Sequence, residues 1–451
     1  MSKNALHDDL HTLNYSIDAG DVRDVLSKYI LADGYEFVLD VENSRGCTLV
    51  DAATGDSYLD FFSFYASSAL GMNHPKMLTP AFKEKIAYAG INKPANSDIY
   101  TQQMAEFAEN FGKHVMPSHF KYLFFVEGGS VAVENALKVA MDWKVRKNLA
   151  KGITEEKGHQ IIHFKEAFHG RTGYTLSLTN TDPNKVRYFP KFDWPRISNP
   201  KIIQPLENHL DEVIAAEKKA VEEIHTALKN NPDDIAAIII EPIQAEGGDN
   251  HFRPEFLKAL REICDNNEIM LIFDEVQTGF GMTGKWWCAE HYVMPDIISF
   301  GKKVQVCGIM VSERVDEVAD NCFHVSSRIN STWGGNFTDM VRSAKIIEIM
   351  VEENVVENSE IMGEYLLAEL RKLQNEFPGL VAAPRGKGLM CAFDMPDSAM
   401  RNSFIDKCFE EKLFILGCGP KSVRFRTPLI ITAEELDKGL TIIRKVLSLM
   451  S

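Results

Sequence analysis

Three short stretches carry residue types that could do chemistry together. In the first, Glu127-Gly128-Gly129-Ser130, a glycine pair separates an apolar run (YLFFV) from a helical pattern (VAVENALKVAMDWKVRKN). Backbone N–H groups at such a helix start are free to meet an anion, with the helix dipole behind them. An ordinary strand–helix turn has the same sequence. In the second, Asp274 follows IMLIF and begins Asp-Glu-Val-Gln-Thr-Gly. An acid at the end of a buried run is costly unless something cationic meets it, and a helix cap or an ion pair with a nearby base is the plain alternative. In the third, Gly301-Lys302-Lys303 follows DIISF. A solvated lysine there is idle. A desolvated one sheds its proton more readily and becomes an amine able to form a Schiff base.

The elements that must position these residues are legible as short apolar runs alternating with helical patterns. Strands are expected at Tyr122–Val126, Gln160–Phe164, Ile235–Ile240, Ile269–Phe273, Asp296–Phe300 and Gly308–Val311, each nearly continuous in Ile, Val or Phe. Continuity of that kind belongs to strands covered on both faces. Between two of them, Leu210–Lys229 puts Leu210, Val213, Ile214, Val221, Ile224 and Leu228 on one helical face, and Asn230-Asn231-Pro232 ends it. The expected fold is α/β with a mainly parallel sheet, whose ligands sit at the carboxyl ends of the strands. An anion cradle, a carboxylate and a lysine amine then fall on one sheet edge. Pyridoxal 5′-phosphate needs that set: helix N–H groups for its phosphate, a carboxylate for its pyridine nitrogen, and a lysine for its aldehyde.

The remaining chain sets bounds. Its 451 residues carry 64 acidic and 49 basic side chains, a net charge of −15, which argues against a nucleic-acid partner. Eight cysteines are scattered, with no Cys/His cluster at ligand spacing, so neither a disulfide framework nor a metal site is expected. No apolar run is long enough to span a membrane, and the polar start MSKNALHDDLH has no signal-peptide core, so the cytosol is the expected location. Gly279–Lys285 matches most of a P-loop, but Trp286 stands where the Ser or Thr that holds magnesium would be. Three units are expected: an N-terminal segment 1–75 packing with the C-terminal unit, a large unit 76–340, and a small α+β unit 341–451 with a long helical stretch from about Asp339 at its entrance.

The stretch IFDEVQTGFGMTGKWWCAEHYVMPDIISFGKK, with FFSFYASSALGMNHP, FHGRTGYTLSLTNTDPNK and SRINSTWGGNFTDMVR, resembles the class III pyridoxal-phosphate aminotransferases of fold type I over nearly the whole chain. The resemblance implies that Lys302 holds the cofactor, Asp274 pairs with the pyridinium, Gln277 approaches the ring hydroxyl, Phe168 stacks on the ring, and Gly129 and Ser130 bind the phosphate. It implies that Ser331 and Thr332 reach the neighbouring subunit's cofactor, hence a homodimer with shared sites. Within the family the likeness is to the members that use lysine, partly because Val304-Gln305-Val306-Cys307 replaces the usual glycine-rich stretch. That implies transfer of the ε-amino group of L-lysine to 2-oxoglutarate, with Arg171, Glu246, Asn330 and Arg424 at the substrates. Arg171 would hold the distal carboxylate, Arg424 the carboxylate beside the reacting carbon, and Glu246 would neutralise Arg424 when lysine is bound. Lys303 and Arg426 are the adjacent rivals of Lys302 and Arg424. Ornithine and 4-aminobutyrate are the alternative amines, and an aminomutase is the alternative reaction.

Overall fold

The computed structural model describes residues 15–451, so the polar first residues and the start of the 1–75 segment lie outside the described part. At its centre is a sheet of seven strands, β1 (Phe120–Val126), β2 (Gln160–Phe164), β3 (Arg196–Ile197), β4 (Ile235–Ile240), β5 (Met270–Asp274), β6 (Ile297–Phe300) and β7 (Cys307–Ser312). Their spatial order is β1-β7-β6-β5-β4-β2-β3. The sequence reading lacks only β3, whose two residues are too few to show a pattern. The pairs β6–β5, β5–β4, β4–β2 and β2–β3 are parallel. β7 runs antiparallel to both β6 and β1. Chain length explains this: only Gly301–Val306 joins β6 to β7, and a parallel crossover needs a dozen or more residues.

The continuous apolar strands are covered on both faces. Ile239 and Ile272 pack with Val133, Leu137 and Trp143 of helix Gly129–Ala150 on one side. Ile238, Ile240, Leu271 and Phe273 pack with Phe256, Leu257 and Leu260 of helix Pro254–Asn266 on the other. Successive residues of one strand thus serve opposite layers, so neither face can be polar.

After the sheet, helices Phe337–Glu352 and Val355–Glu376 replace the expected single stretch. The break falls at Asn354, in the left-handed conformation (φ 52°) that asparagine tolerates better than most residues. A four-stranded antiparallel sheet follows, in the order Ala382–Lys387, Met390–Asp394, Ser422–Phe425, Leu416–Cys418. Near the N-terminus, Thr48–Val50 and Ser57–Asp60 form a pair that Leu413–Phe414 extends by running parallel to the second strand. Segments from the two ends of the chain therefore share one small sheet.

Candidate active site

A cavity of about 760 Å³ opens at the carboxyl edge of the parallel strands. Asp274 is the last residue of β5, Glu241 follows β4, Phe168–Arg171 follow β2, and Gly129 opens the helix after β1. Lys302 lies in the short β6–β7 turn, and Arg424 reaches in from the strand Ser422–Phe425. All of these residues line the cavity, together with Ser130, Gln277, Glu246, Lys185 and Tyr65.

Lys302 and Lys303 have different fates. Burial, reinforced by the charges of Arg424 and Arg426, lowers the Lys302 amine to about 8 against the opposing pull of Asp274 and Glu246. The buried Lys303 turns the other way and donates to the carbonyls of Ala66 (3.2 Å) and Gln277 (3.0 Å). It ties the turn to its surroundings, and burial holds its amine far below the usual lysine range.

Asp274 is buried and accepts from His169 Nδ1 (2.8 Å), the N–H of Val276 (3.1 Å) and Ser299 Oγ (3.3 Å). His169 is a residue the sequence reading missed, although it stands between two residues singled out in FHGR. Its Nε2 is buried and has no hydrogen-bond partner among the described residues. Glu241 was also missed. It is buried under the same wall, accepts the N–H groups of Phe168 (2.9 Å) and Ala245 (3.1 Å), and burial raises its carboxyl to about 7.

At the anion end, Gly129 packs closely on Val276, a Cβ there lying 3.0 Å from its methyl, and the glycine adds no side chain to the helix start that lines the cavity. Ser130 Oγ is held by Thr172 Oγ1 (2.7 Å) and Thr175 Oγ1 (2.6 Å), which fixes the helix start to the loop carrying Phe168 and Arg171. Gly170 makes that approach possible: it has φ 114°, and a Cβ there would lie 2.2 Å from Ser130 Oγ.

The substrate end holds three arginines. Arg426 is fully buried, paired with Asp249 (Nη1–Oδ2 3.0 Å) and donating from Nε to Gln277 Oε1 (2.8 Å). Arg424 is almost as buried but meets only Glu246 (Nη2–Oε2 3.1 Å), while its Nε and Nη1 have no partner among the described residues. Glu246 sits in the turn after Ile243–Gln244, and its second oxygen lies 2.6 Å from Lys185 Nζ. Burial opposes its charge, but Arg424 and Lys185 outweigh it and hold the carboxyl below the usual range. Arg171 lines the cavity, is exposed, and makes no ion pair among the described residues.

Asn330, Ser331 and Thr332 do not reach this cavity. They lie in a separate turn, where Asn330 Oδ1 accepts the Ser331 N–H (2.8 Å) and the Thr332 carbonyl accepts from Ser97 Oγ (3.1 Å). The P-loop-like stretch is no cradle either: no α-helix opens after it, and Lys285 faces Glu360 at 3.8 Å.

A mainly parallel sheet with a lysine, a carboxylate and an open helix start on one edge, closed by an α+β unit, is the frame of a fold type I pyridoxal-phosphate transferase. Within that class the chain belongs to the class-III aminotransferases, whose family model matches residues 30–447. It is 49% identical over 432 residues to the L-lysine-epsilon aminotransferase of Mycobacterium tuberculosis, covering 95% of this chain and 96% of that protein. To the enzyme of the same name from Amycolatopsis lactamdurans it is 45% identical, covering 94% of each. The solved lysine aminotransferase of M. tuberculosis superposes with a TM-score of 0.95 at 48% identity, over 96% of this chain and all of that one. Pyridoxal phosphate is the cofactor of this class, and the residues present fit it: a lysine amine of lowered basicity, a buried carboxylate, and a helix start that no side chain blocks.

Proposed function

We propose that the protein is an L-lysine 6-transaminase, moving the ε-amino group of L-lysine to 2-oxoglutarate. The products are glutamate and 2-aminoadipate 6-semialdehyde, which cyclises to 1-piperideine 6-carboxylate. One observation carries the reading: Arg424, buried and only partly satisfied, is met by a single acid, the partly exposed Glu246. A reaction that alternates between an amine without a carboxylate at its reacting carbon and an oxo acid with one needs such a pair.

Bound pyridoxal phosphate supplies an aldehyde that takes up the amino group and a ring that accepts electron density from the reacting carbon. Lys302 Nζ holds the cofactor between turnovers, takes a proton from the ε-carbon of lysine, and returns one to C2 of the oxo acid. Asp274, held by His169, would be the carboxylate that meets the pyridine nitrogen. Phe168 and Gln277 would hold the ring, and Gly129 and Ser130 would offer backbone N–H groups to the phosphate. Arg171 grips the distal carboxylate of either substrate. Arg424 grips the carboxylate next to the reacting carbon of 2-oxoglutarate as a two-toothed fork. With lysine bound, Glu246 neutralises Arg424, which would otherwise face methylenes as an uncompensated buried charge at a cost of about 3–5 kcal/mol.

The working unit in this reading is a homodimer in which Asn330, Ser331 and Thr332 serve the partner's site. Exposed Ile99 and Tyr100, which follow the Ser97 that bonds the Thr332 carbonyl, support it, as exposed apolar surface of this kind marks an interface. Eight unpaired cysteines support a reducing compartment, the cytosol. Among the described residues no helix is long and apolar enough to cross a membrane.

The test is transfer of label. Lysine carrying ¹⁵N at the ε-position, incubated with enzyme and 2-oxoglutarate, should give labelled glutamate; label left in lysine refutes the donor. Ornithine and 4-aminobutyrate in the same assay decide among amines, because a methylene changes binding by only about 1–3 kcal/mol. Turnover without any oxo acid would indicate an aminomutase.

A further inference from the structure

Lys185 lines the cavity and has no part in the chemistry above. It closes the short turn Pro183–Lys185, which Asp182 fixes by accepting the Asn184 N–H (2.9 Å). Its ammonium lies 2.6 Å from Glu246 Oε1 and 5.6 Å from the centre of the Phe168 ring. The other oxygen of Glu246 lies 3.1 Å from Arg424 Nη2. One carboxylate therefore bridges two cations. Lys185, Glu246 and Gly417 also line a second hollow of about 540 Å³ that adjoins the first.

An acid that leaves Arg424 has two destinations, water or another cation. Leaving for water alone would forfeit an ion pair in a partly dry site. Arg424, Lys185 and Glu246 together carry one net positive charge, so one further carboxylate brings the group to neutrality. Two further nitrogens of Arg424 are buried with no hydrogen-bond partner among the described residues, so the guanidinium is left with unmet donors. We propose that Lys185 is a positioning residue that receives Glu246 when a dicarboxylate takes Arg424, so that the acid pivots on its lysine bond and stays ion-paired in both half-reactions. The adjoining hollow provides room for the pivot. This rests on the pairing of Arg424 with Glu246 set out under Proposed function.

The test is calorimetric binding of glutarate, a dicarboxylate without a reactive oxo group, to the holoenzyme. E246Q should bind glutarate more tightly than the parent, because no acid has to be displaced. K185M should bind it about tenfold more weakly, a loss of about 1.4 kcal/mol, and K185R should retain affinity. In the E246Q background, K185M should have no effect. In turnover, K185M should raise KM for 2-oxoglutarate much more than KM for lysine. If K185M weakens glutarate equally in both backgrounds, Lys185 grips the ligand itself and the proposal fails. It also fails if K185M has no effect in the parent. If E246Q does not tighten glutarate, the Arg424–Glu246 reading falls, and this inference with it.

Discussion

The lowered basicity of Lys302 sets how much free amine it offers, and with it the pH dependence of cofactor uptake. With its amine at about 8, roughly one molecule in eleven carries a free amine at pH 7, whereas an ordinary lysine near 10.4 leaves about one in 2,500. Uptake of pyridoxal phosphate by the cofactor-free protein needs that free amine, and burial with the two arginines raises its fraction about two-hundredfold at pH 7. The dependence on pH has a shape that tests the cause. A group titrating near 8 gains about tenfold in rate between pH 7 and pH 9 and then flattens, while one titrating at 10.4 is still climbing severalfold between pH 9 and pH 10. The assay is the initial rate of covalent uptake from pH 6 to pH 10.5, trapped with borohydride, with the modified lysine located by peptide mass. R424Q removes the larger of the two cationic contributions that reinforce burial, so it should move the midpoint upward. Label should sit on Lys302, because the Lys303 amine is spent on two backbone carbonyls. A rate that rises without a plateau to pH 10, or label on Lys303, would refute the reasoning.

Two further outcomes follow from the ion pairs. E246Q leaves Arg424 uncompensated only while lysine is bound, and the partial exposure of Glu246 brings the penalty below that of a fully buried pair, to about 2–3 kcal/mol. The lysine half-reaction should therefore slow about 30- to 150-fold in single turnover while the oxo-acid half-reaction is spared; equal losses in both would sink the assignment. D249A strips the partner from fully buried Arg426, so the guanidinium unfolding midpoint should fall by an amount equivalent to about 3–5 kcal/mol. An unchanged midpoint would show that Gln277 and the backbone suffice for that charge.

What could be read from the sequence follows from where each residue stands relative to a strand. Asp274, Lys302 and the Gly129 helix start were legible because each follows an apolar run that must be buried, and a polar residue at such an end calls for a reason. His169 stands in a loop and Tyr65 and Lys185 in short helical turns, where polar and aromatic residues are unremarkable, and only the fold brings them to the cavity. Glu241 is different: it follows the apolar run Ile235–Ile240 as Asp274 follows its own, so the same signal was present, and its importance lies in accepting the Phe168 N–H from a loop 73 positions away. The antiparallel direction of β7 was within reach, since the six residues Gly301–Val306 exclude a crossover. The break at Asn354 was not, because nothing in the apolar period distinguishes one helix from two in line. Asn330, Ser331 and Thr332 lie beyond the cavity of their own chain, and a reading of one chain cannot place them in another's.

The three arginines at the substrate end show how identical side chains acquire different uses from their surroundings. Arg426 is saturated by Asp249, Gln277 and its own chain, so it can only support. Arg424 has one partner and two buried nitrogens with none among the described residues, which supports the proposed exchange of an internal carboxylate for an external one. Arg171 has no ion-pair partner among the described residues and stands at the exposed side of the cavity. The proposed substrates explain why that freedom is useful. Counted from the reacting carbon, the distal carboxylate of lysine lies two carbons beyond that of 2-oxoglutarate, so a fork fixed by its own ion pair would meet one substrate and miss the other. A long side chain held by nothing can extend or fold to meet both. Each grip then costs up to about 2 kcal/mol of side-chain entropy, and that cost falls on both half-reactions, so it lowers affinity without biasing the choice between them. The bias is left to Arg424, where an acid either stays or moves.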